Sequence, residues 1–273
     1  MPQRPPPAPK PPPLLPAAML EQLAARGPIL LCLDYDGTIS ELVSRPAMAR
    51  PVAGVVAAIE SMAPHGDRIA IALVSGRPVA ELRRMTGLGH RVMYAGVHGL
   101  EIAGRARDGG GDDIRVAADA ARRAPELDRV RAWLTHHVPA GAGFEVEDKR
   151  LSVALHYRNA EPAAAAALCA QFEDFVRTDA PHLRAAHNKM VVEALPAAAS
   201  KGIALRALGR EAGAAFVPVY FGDDRTDEDA FAELASRGVG VLVGEARPSL
   251  AHWRVDSPAA VARVLTALAA SLG

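Results

Sequence analysis

An apolar run that ends in two carboxylates constrains this chain more than any other segment. Ile29–Leu33 is continuously apolar, and it leads into Asp34, Tyr35 and Asp36 and then a Gly-Thr pair. Such a run is typical of a strand buried on both faces of a parallel sheet. Open α/β sheets bind ligands beyond the carboxyl ends of their strands, so Asp34 and Asp36 are candidate site residues. The alternative is a plain acidic turn, because Asp and Gly are favoured there.

Strand and helix patterns alternate in both halves of the chain. Pro51 and Pro78 stand where a first helical turn tolerates proline. The further apolar strand runs are 68–74, 92–95, 216–221 and 240–243, and the helical stretches begin near residues 51, 78, 200, 226 and 258. This alternation predicts an α/β fold with a Rossmann-like parallel-sheet core and right-handed crossovers.

The middle of the chain has a different pattern. Two period-2 runs, Phe144–Glu147 and Leu151–Tyr157, are joined by a charged turn, which predicts an antiparallel hairpin. We therefore predict an inserted α+β cap domain at residues 109–187, beginning at a Gly-Gly-Gly break, and a core at 17–108 and 188–273. Residues 1–16 hold nine of the 22 prolines and are predicted to be a disordered tail.

Composition narrows the classes of partner. The 273 residues are half apolar and carry 31 basic and 31 acidic side chains, so no global field favours nucleic acid or a membrane surface. Cys32 and Cys169 fall in apolar patterns and are expected to be core residues in a reducing compartment. With no signal-peptide pattern and no apolar run long enough to span a bilayer, we expect a cytoplasmic protein, and we expect it to be a monomer.

Two further motifs could bind an anion. Ser75, Gly76 and Arg77 follow a second apolar run, so a hydroxyl, a closely approachable backbone and a helix N-terminus would meet at one strand end. Lys201 opens a later helix and would bring an ammonium group to the same sheet edge. The alternatives are a Ser cap with a solvated Arg, and a solvated Lys.

The fourth motif is acidic. Asp223, Asp224 and Asp227 follow the apolar run 216–221, and two more acids come directly after them. So much negative charge at one loop favours a bound cation. Alternatively, Asp224 caps a helix and the later acids favour its N-terminal dipole, although this explains Asp223 less well.

In chain order, the four motifs resemble those of the haloacid dehalogenase-type phosphohydrolases. The resemblance implies that Asp34 is the nucleophile, that Asp36 is the general acid and base, and that Ser75 and Lys201 complete the catalytic set. It also implies a Mg²⁺ cofactor held by Asp34, by the backbone carbonyl of Asp36 and by Asp223, with Asp224 and Asp227 as further candidate ligands. A carboxylate nucleophile would split phosphate-ester hydrolysis into two easier displacements.

More specific segments are similar to trehalose-6-phosphate phosphatases. They include Leu33–Thr38, Ala95–Glu101 and the Gly222–Glu228 loop. The resemblance implies a small sugar phosphate as substrate, with sugar or phosphate contacts from Gly76, Arg77, His98, Glu101, Glu147, Lys149, Arg158, Lys189 and Glu193. A charged hairpin turn for Glu147 and Lys149, and a packing role for His98, remain open. So do other substrates, such as sucrose phosphate or a mannosyl-phosphoglycerate, a phosphomutase, and a catalytically silent regulatory module.

Overall fold

The computed structural model describes residues 9–43, 45–104, 114–188, 190–234 and 237–273. The helices are α1 Met19–Arg26, α2 Val55–Met62, α3 Val79–Thr86, α4 Ala118–Arg122, α5 Ala124–His137, α6 Pro162–Asp179, α7 Lys201–Ala212, α8 Glu228–Leu234 and α9 Pro258–Ala270. The strands are β1 Ile29–Asp34, β2 Ile69–Val74, β3 Met93–Gly96, β4 Glu101–Ala103, β5 Ile114–Val116, β6 Glu145–Asp148, β7 Val153–His156, β8 Leu183–Asn188, β9 Val191–Pro196, β10 Val217–Gly222, β11 Val239–Val243 and β12 Trp253–Val255.

The larger sheet has eight strands among the described residues, in the order β12-β11-β10-β1-β2-β3-β4-β5. The strands from β12 to β3 are parallel, and β4 and β5 add to that edge as antiparallel strands. Leu33 lies opposite Phe221 on one side and Leu73 on the other, so β1, β10 and β2 end at the same level. The α/β core with a parallel sheet is therefore confirmed.

Both faces of the larger sheet are covered by helices, which explains why its central strands are continuously apolar. Along β1, Leu31 and Leu33 enter the core beneath α2 and α9, whereas Leu30 and Cys32 enter the core beneath α7 and α8. Most residues of these two cores are fully buried. The carboxyl edge of the sheet is therefore where β1 can expose polar groups.

A second, antiparallel sheet has the order β6-β7-β9-β8 and packs against α5 and α6. Cys169 lies in this core and is a free thiol, like Cys32. Below we call the unit formed by β6 to β9 with α5 and α6 the cap. It is the α+β insert that the hairpin pattern indicated.

Strand pairing supports domain limits other than the predicted ones. Strand β5 pairs with β4 in the larger sheet, although its residues fall within the predicted cap, and β9 pairs with β7 and β8 in the cap sheet, although its residues fall within the predicted core. Backbone pairing binds each strand to its sheet, so we propose a cap that begins after Val116 and ends at Pro196. The predicted Gly-Gly-Gly break lies outside the described residues.

The proline-rich segment also differs from its prediction where the structure describes it. Leu14 forms a parallel bridge with Arg254 of β12, whose amide donates to Pro13 while Leu15 donates back to the Arg254 carbonyl. These bonds satisfy backbone groups at the edge strand β12, so disorder is the wrong prediction for residues 13–15; residues 1–8 are not described. In the part of the chain that the structure covers, no helix is long and apolar enough to cross a membrane.

Candidate active site

Lys201 and Asp34 form a buried ion pair at the carboxyl edge of the larger sheet. Asp34 ends β1, and Lys201 begins α7 directly after Ser200, whose side chain caps that helix. The Lys201 Nζ atom lies 2.9 Å from Asp34 Oδ1 and 2.7 Å from Asp227 Oδ1. Lys201 and Asp34 are each only 4% exposed, so the solvated-lysine alternative is wrong.

Asp227 is held from several sides. Its Oδ1 also accepts a hydrogen bond of 2.6 Å from the Tyr220 hydroxyl, and its Oδ2 accepts one of 2.8 Å from the Asp224 amide. Asp224 in turn caps the 3-10 turn at 225–227 by accepting from the Arg225 amide. The structure therefore shows the Asp224 side chain in the helix-capping role that was the alternative to metal binding.

Burial dominates the electrostatics of the Asp34 site. It raises the pKa of Asp34, opposed by Lys201 and reinforced by the charges of Asp227 and Asp223. For Lys201, burial lowers the pKa, but the carboxylates of Asp227 and Asp34 outweigh this and raise it above its ordinary value. Lys201 is consequently a permanent cation beside Asp34, a preorganised positive charge that can attract an anion.

Three of the predicted metal ligands come together. Asp34, Asp223 and Asp227 each offer a carboxylate oxygen, and these atoms all lie within 4.8 Å of one another. A Cβ built on Gly37, whose φ is +79°, would lie 2.1 Å from Asp223 Oδ2, so the Asp223 carboxylate occupies space that only glycine leaves open. Hard oxygen donors converging in this way fit Mg²⁺.

Arg77 holds the other acid of the first motif. Its Nε and Nη2 donate to the two carboxylate oxygens of Asp36 at 2.7 and 2.8 Å, and Nη1 and Nη2 also donate to Glu81 and to the Pro46 carbonyl. Ser75 Oγ accepts from the Arg77 amide at 3.2 Å. The Arg77 guanidinium is therefore bound by protein acceptors, and the solvent-facing Arg alternative is wrong.

Cap residues face this edge of the sheet. Glu193 of β9 is 1% exposed. Its Oε1 accepts a hydrogen bond of 2.5 Å from Ser152 Oγ and lies 3.2 Å from Lys149 Nζ. The Oε2 atom of Glu193 lies 3.4 Å from His98 Nε2 of the core. Burial raises the pKa of Glu193, but Lys149 and His98 outweigh it, so the net pKa is lowered and the carboxylate stays ionised.

A cavity of about 210 Å³ lies between the residues at the carboxyl edge of the larger sheet and the cap residues described above. The predicted site residues that line it are Asp34, Asp36, Ser75, Gly76, Arg77, His98, Glu147, Lys149, Arg158, Glu193, Lys201, Asp223 and Asp224. Gly76 leaves room for the His98 ring, because an added Cβ would lie 2.7 Å from His98 Nε2. Asp34, Asp223 and Asp224 line the cavity from the core, and Glu147 and Lys149 line it from the cap.

Two predicted substrate residues behave differently. Glu101 does not belong to the lining; its Oε2 accepts from the Val79 amide at the start of α3, and its Oε1 accepts from Arg150 of the cap. A carboxylate at a helix N-terminus satisfies an otherwise unpaired amide, so Glu101 has a structural role here. Lys189 lies outside the described residues, and its role stays a prediction.

The sequence analysis overlooked some lining residues. His156 and Asn159 contribute from the cap, and Leu42 and Val43 from the loop after β1. His156 could have been found from the period-2 pattern, since it follows Ala154 on one face of β7 and Ala154 is paired with Glu147. The apolar loop residues had no such signal.

A parallel sheet with a buried Asp-Lys pair at its carboxyl edge, an acid loop beside it and an inserted cap define a phosphohydrolase fold of the haloacid dehalogenase type. The trehalose-phosphatase family model matches residues 32–259. The chain belongs to this family.

The relatives agree in fold and in family. The chain is 36% identical over 249 residues to a trehalose-phosphate phosphatase of Mycobacterium marinum, covering 88% of this chain and 61% of that protein. Among solved structures, it superposes with a TM-score of 0.80 on the C-terminal domain of the C. albicans trehalose-6-phosphate phosphatase, at 22% identity and with 96% and 99% of the two chains covered. The Aspergillus fumigatus trehalose-6-phosphate phosphatase gives 0.68 at 27% identity, with 95% and 99% covered. The chain thus spans less than two thirds of the M. marinum relative.

Proposed function

We propose that this chain is a Mg²⁺-dependent phosphatase that hydrolyses trehalose 6-phosphate to trehalose and phosphate. The observation that carries the proposal is the cavity between the Asp34-Lys201 pair and the cap carboxylates Glu147 and Glu193. One wall has the groups that phosphoryl transfer needs, and the other has acceptors and donors suited to a polyol. The family membership supports trehalose as that polyol.

The first chemical step uses both acids of the first motif. An Asp34 carboxylate oxygen attacks phosphorus, the bond from phosphorus to the sugar oxygen breaks, and Asp36 gives a proton to that oxygen. Asp36 then takes a proton from water, whose oxygen attacks the phosphorus of the aspartyl-phosphate and releases phosphate and Asp34. Arg77 uses one acceptor site on each Asp36 oxygen, and a carboxylate has about four such sites, so a site remains for the proton that Asp36 transfers.

Neighbouring groups would bind the phosphoryl oxygens. Lys201 has three donors, and its contacts with Asp34 and Asp227 use two, so one remains for the phosphoryl group. Ser75 Oγ can donate from the end of β2. Asp34, Asp223 and the backbone carbonyl of Asp36 would hold Mg²⁺, with Asp227 within reach, and the bound ion would neutralise charge between nucleophile and phosphate.

The test is phosphate release from a panel of trehalose 6-phosphate, sucrose 6-phosphate, mannosyl-phosphoglycerate and glucose 6-phosphate, with and without a chelator. We expect the highest kcat/KM on trehalose 6-phosphate, loss of activity with chelator and recovery with Mg²⁺. Comparable kcat/KM on sucrose 6-phosphate would overturn the substrate, and unchanged activity in chelator would overturn the metal. No turnover of any substrate would favour a silent regulatory module.

An Asp34→Asn variant tests the nucleophile separately. It should still bind trehalose 6-phosphate in calorimetry but release no phosphate, because an amide cannot form the aspartyl-phosphate; retained turnover would contradict this role. A cytoplasmic location and a monomeric state, expected from the sequence, stay predictions of the same proposal.

A further inference from the structure

His156 and Glu147 form a cross-strand pair on the cap wall of the cavity. The Nε2 atom of His156 lies 2.9 Å from Glu147 Oε2, and the two side chains are 21% and 35% exposed. Glu147 is paired with Ala154, and His156 is two residues further along β7, so the pair consists of diagonal neighbours on one face. Both residues line the cavity.

We propose that His156 is a positioning residue for sugar recognition, which holds the Glu147 carboxylate at the cavity wall so that it accepts hydrogen bonds from hydroxyls of the sugar. This inference rests on the proposed function, because it deepens the account of the same cavity. His156 donates from Nε2, and a carboxylate has acceptor sites for more than one donor. Glu147 therefore keeps capacity for a sugar hydroxyl while His156 fixes its direction.

The position of Lys149 explains why the contact of Glu147 with His156 matters. Lys149 Nζ lies between two carboxylates, 3.2 Å from Glu193 Oε1 and 3.9 Å from Glu147 Oε2. Without a second partner, Glu147 would be drawn toward the ammonium group and would compete with Glu193 for it, since opposite charges attract. His156 supplies a competing donor, and it keeps the two carboxylates apart as separate acceptors.

A second His-Glu pair in the cap provides a matched control. His182 Nδ1 lies 2.9 Å from Glu126 Oε1, the same separation, but the His182 side chain is 59% exposed and lies outside the cavity. A purely structural role of such pairs would be shared by both. A role in sugar recognition belongs to His156 alone.

The experiment compares His156→Asn, His156→Gln and His182→Gln in the full chain. Gln places its amide nitrogen near the position of Nε2, whereas Asn places it near Nδ1, so only Gln can replace the donor to Glu147. The measurement is the ratio of kcat/KM on trehalose 6-phosphate to kcat/KM on p-nitrophenyl phosphate, which lacks the sugar. We expect His156→Asn to lower this ratio about tenfold through KM, the size of one lost charge-assisted hydrogen bond. His156→Gln should recover most of it, and His182→Gln should leave it at the wild-type value.

A double-mutant cycle keeps the test decisive if one variant folds poorly. In a Glu147→Gln background, His156→Asn should produce no further fall in the ratio, because the histidine acts through that carboxylate. Full additivity, or a wild-type ratio in His156→Asn, would overturn the inference. If the wild-type chain itself fails to prefer trehalose 6-phosphate, the proposed function fails instead, so the two failures are distinguishable.

Discussion

Arg77 donates to both carboxylate oxygens of Asp36, through Nε at 2.7 Å and Nη2 at 2.8 Å. Burial lowers the pKa of the guanidinium, but the hydrogen bonds and charge of Asp36 outweigh it and raise the pKa. Forty-one positions separate the two residues, and the contact joins the loops after β1 and β2. The proposed acid and base is therefore oriented by the loop that also carries Ser75.

We expect Arg77→Lys to lower kcat about ten- to a hundredfold, because an ammonium cannot replace a two-armed contact and the orientation of Asp36 would be lost. Steady-state kinetics on trehalose 6-phosphate would measure this. Arg206→Lys is the control: Arg206 pairs with Glu233 at the surface, where the side chain is 52% exposed, and should keep wild-type kcat. An Arg77→Lys enzyme with wild-type kcat would rule out the orienting role.

Gly37 gives a test of the metal site that separates backbone strain from steric contact. A Cβ at Gly37 would lie 2.1 Å from Asp223 Oδ2, whereas one at Gly87 would meet nothing within 4 Å, although φ is positive at both, +79° and +70°. Gly37→Ala and Gly87→Ala should each lose about 1–2 kcal/mol of stability from the left-handed backbone.

Only Gly37→Ala should displace Asp223. We expect that Mg²⁺ will no longer stabilise the Gly37→Ala variant in thermal unfolding. The Mg²⁺ concentration that this variant needs for half-maximal activity should rise about tenfold or more. Gly87→Ala should show the wild-type Mg²⁺ response. Equal responses of the two variants would contradict the assignment of Asp223.

The placement of the polar residues on the sheet side of the cavity was predictable because they lie at strand ends. Asp34, Ser75 and Asp223 each follow a continuous apolar run, and parallel strands bring such ends together. The contacts that orient them were not predictable: whether Arg77 faces solvent or Asp36 depends on how two loops pack, which no periodicity records. Asp224 had two chemically reasonable roles, metal ligand and helix cap. Only the turn geometry shows that its side chain accepts a hydrogen bond from the Arg225 amide.

Short edge elements were the main omissions in the fold. Strands β4, β5 and β12 have three residues each, too few to establish an alternation. The apolar run of β9 does not indicate which sheet the strand joins, so the sequence alone does not locate the limit between the cap and the core. Pro13–Leu15 joins the edge of the larger sheet through backbone hydrogen bonds with Arg254, and Leu15 also packs against the core, which a composition-based prediction of disorder cannot detect.

Lys201→Met should damage both stability and activity. It would leave Asp34 and Asp227 buried without their cation, a loss of about 3 kcal/mol in the free energy of unfolding when one partner of a buried pair is removed. Loss of a preorganised charge at the phosphoryl site should lower kcat by about a hundredfold or more. Urea unfolding and phosphate release measure the two effects. Arg91→Met, which breaks an exposed pair with Glu60, should change neither by much, and a similar result for both variants would argue against the buried pair.

Glu193 makes stability depend on pH in a direction that can be worked out. Its pKa is lower in the folded protein than its ordinary value of 4.5, so the ionised form is favoured by folding. The stabilisation is complete above about pH 4.5 and is lost as the pH falls toward the folded pKa. Glu193→Gln should therefore have a free energy of unfolding about 2 kcal/mol lower than the wild type at pH 7, the size of a charge-assisted hydrogen-bond network. This difference between variant and wild type should narrow below about pH 4.5.

Urea unfolding at pH 7, 5.5, 4 and 3 measures this difference. Glu211→Gln, which removes an exposed pair with Arg115, is the control and should have nearly the stability of the wild type at pH 7. If the stability difference between Glu193→Gln and the wild type stays constant with pH, Lys149 and His98 do not hold Glu193 in its ionised form.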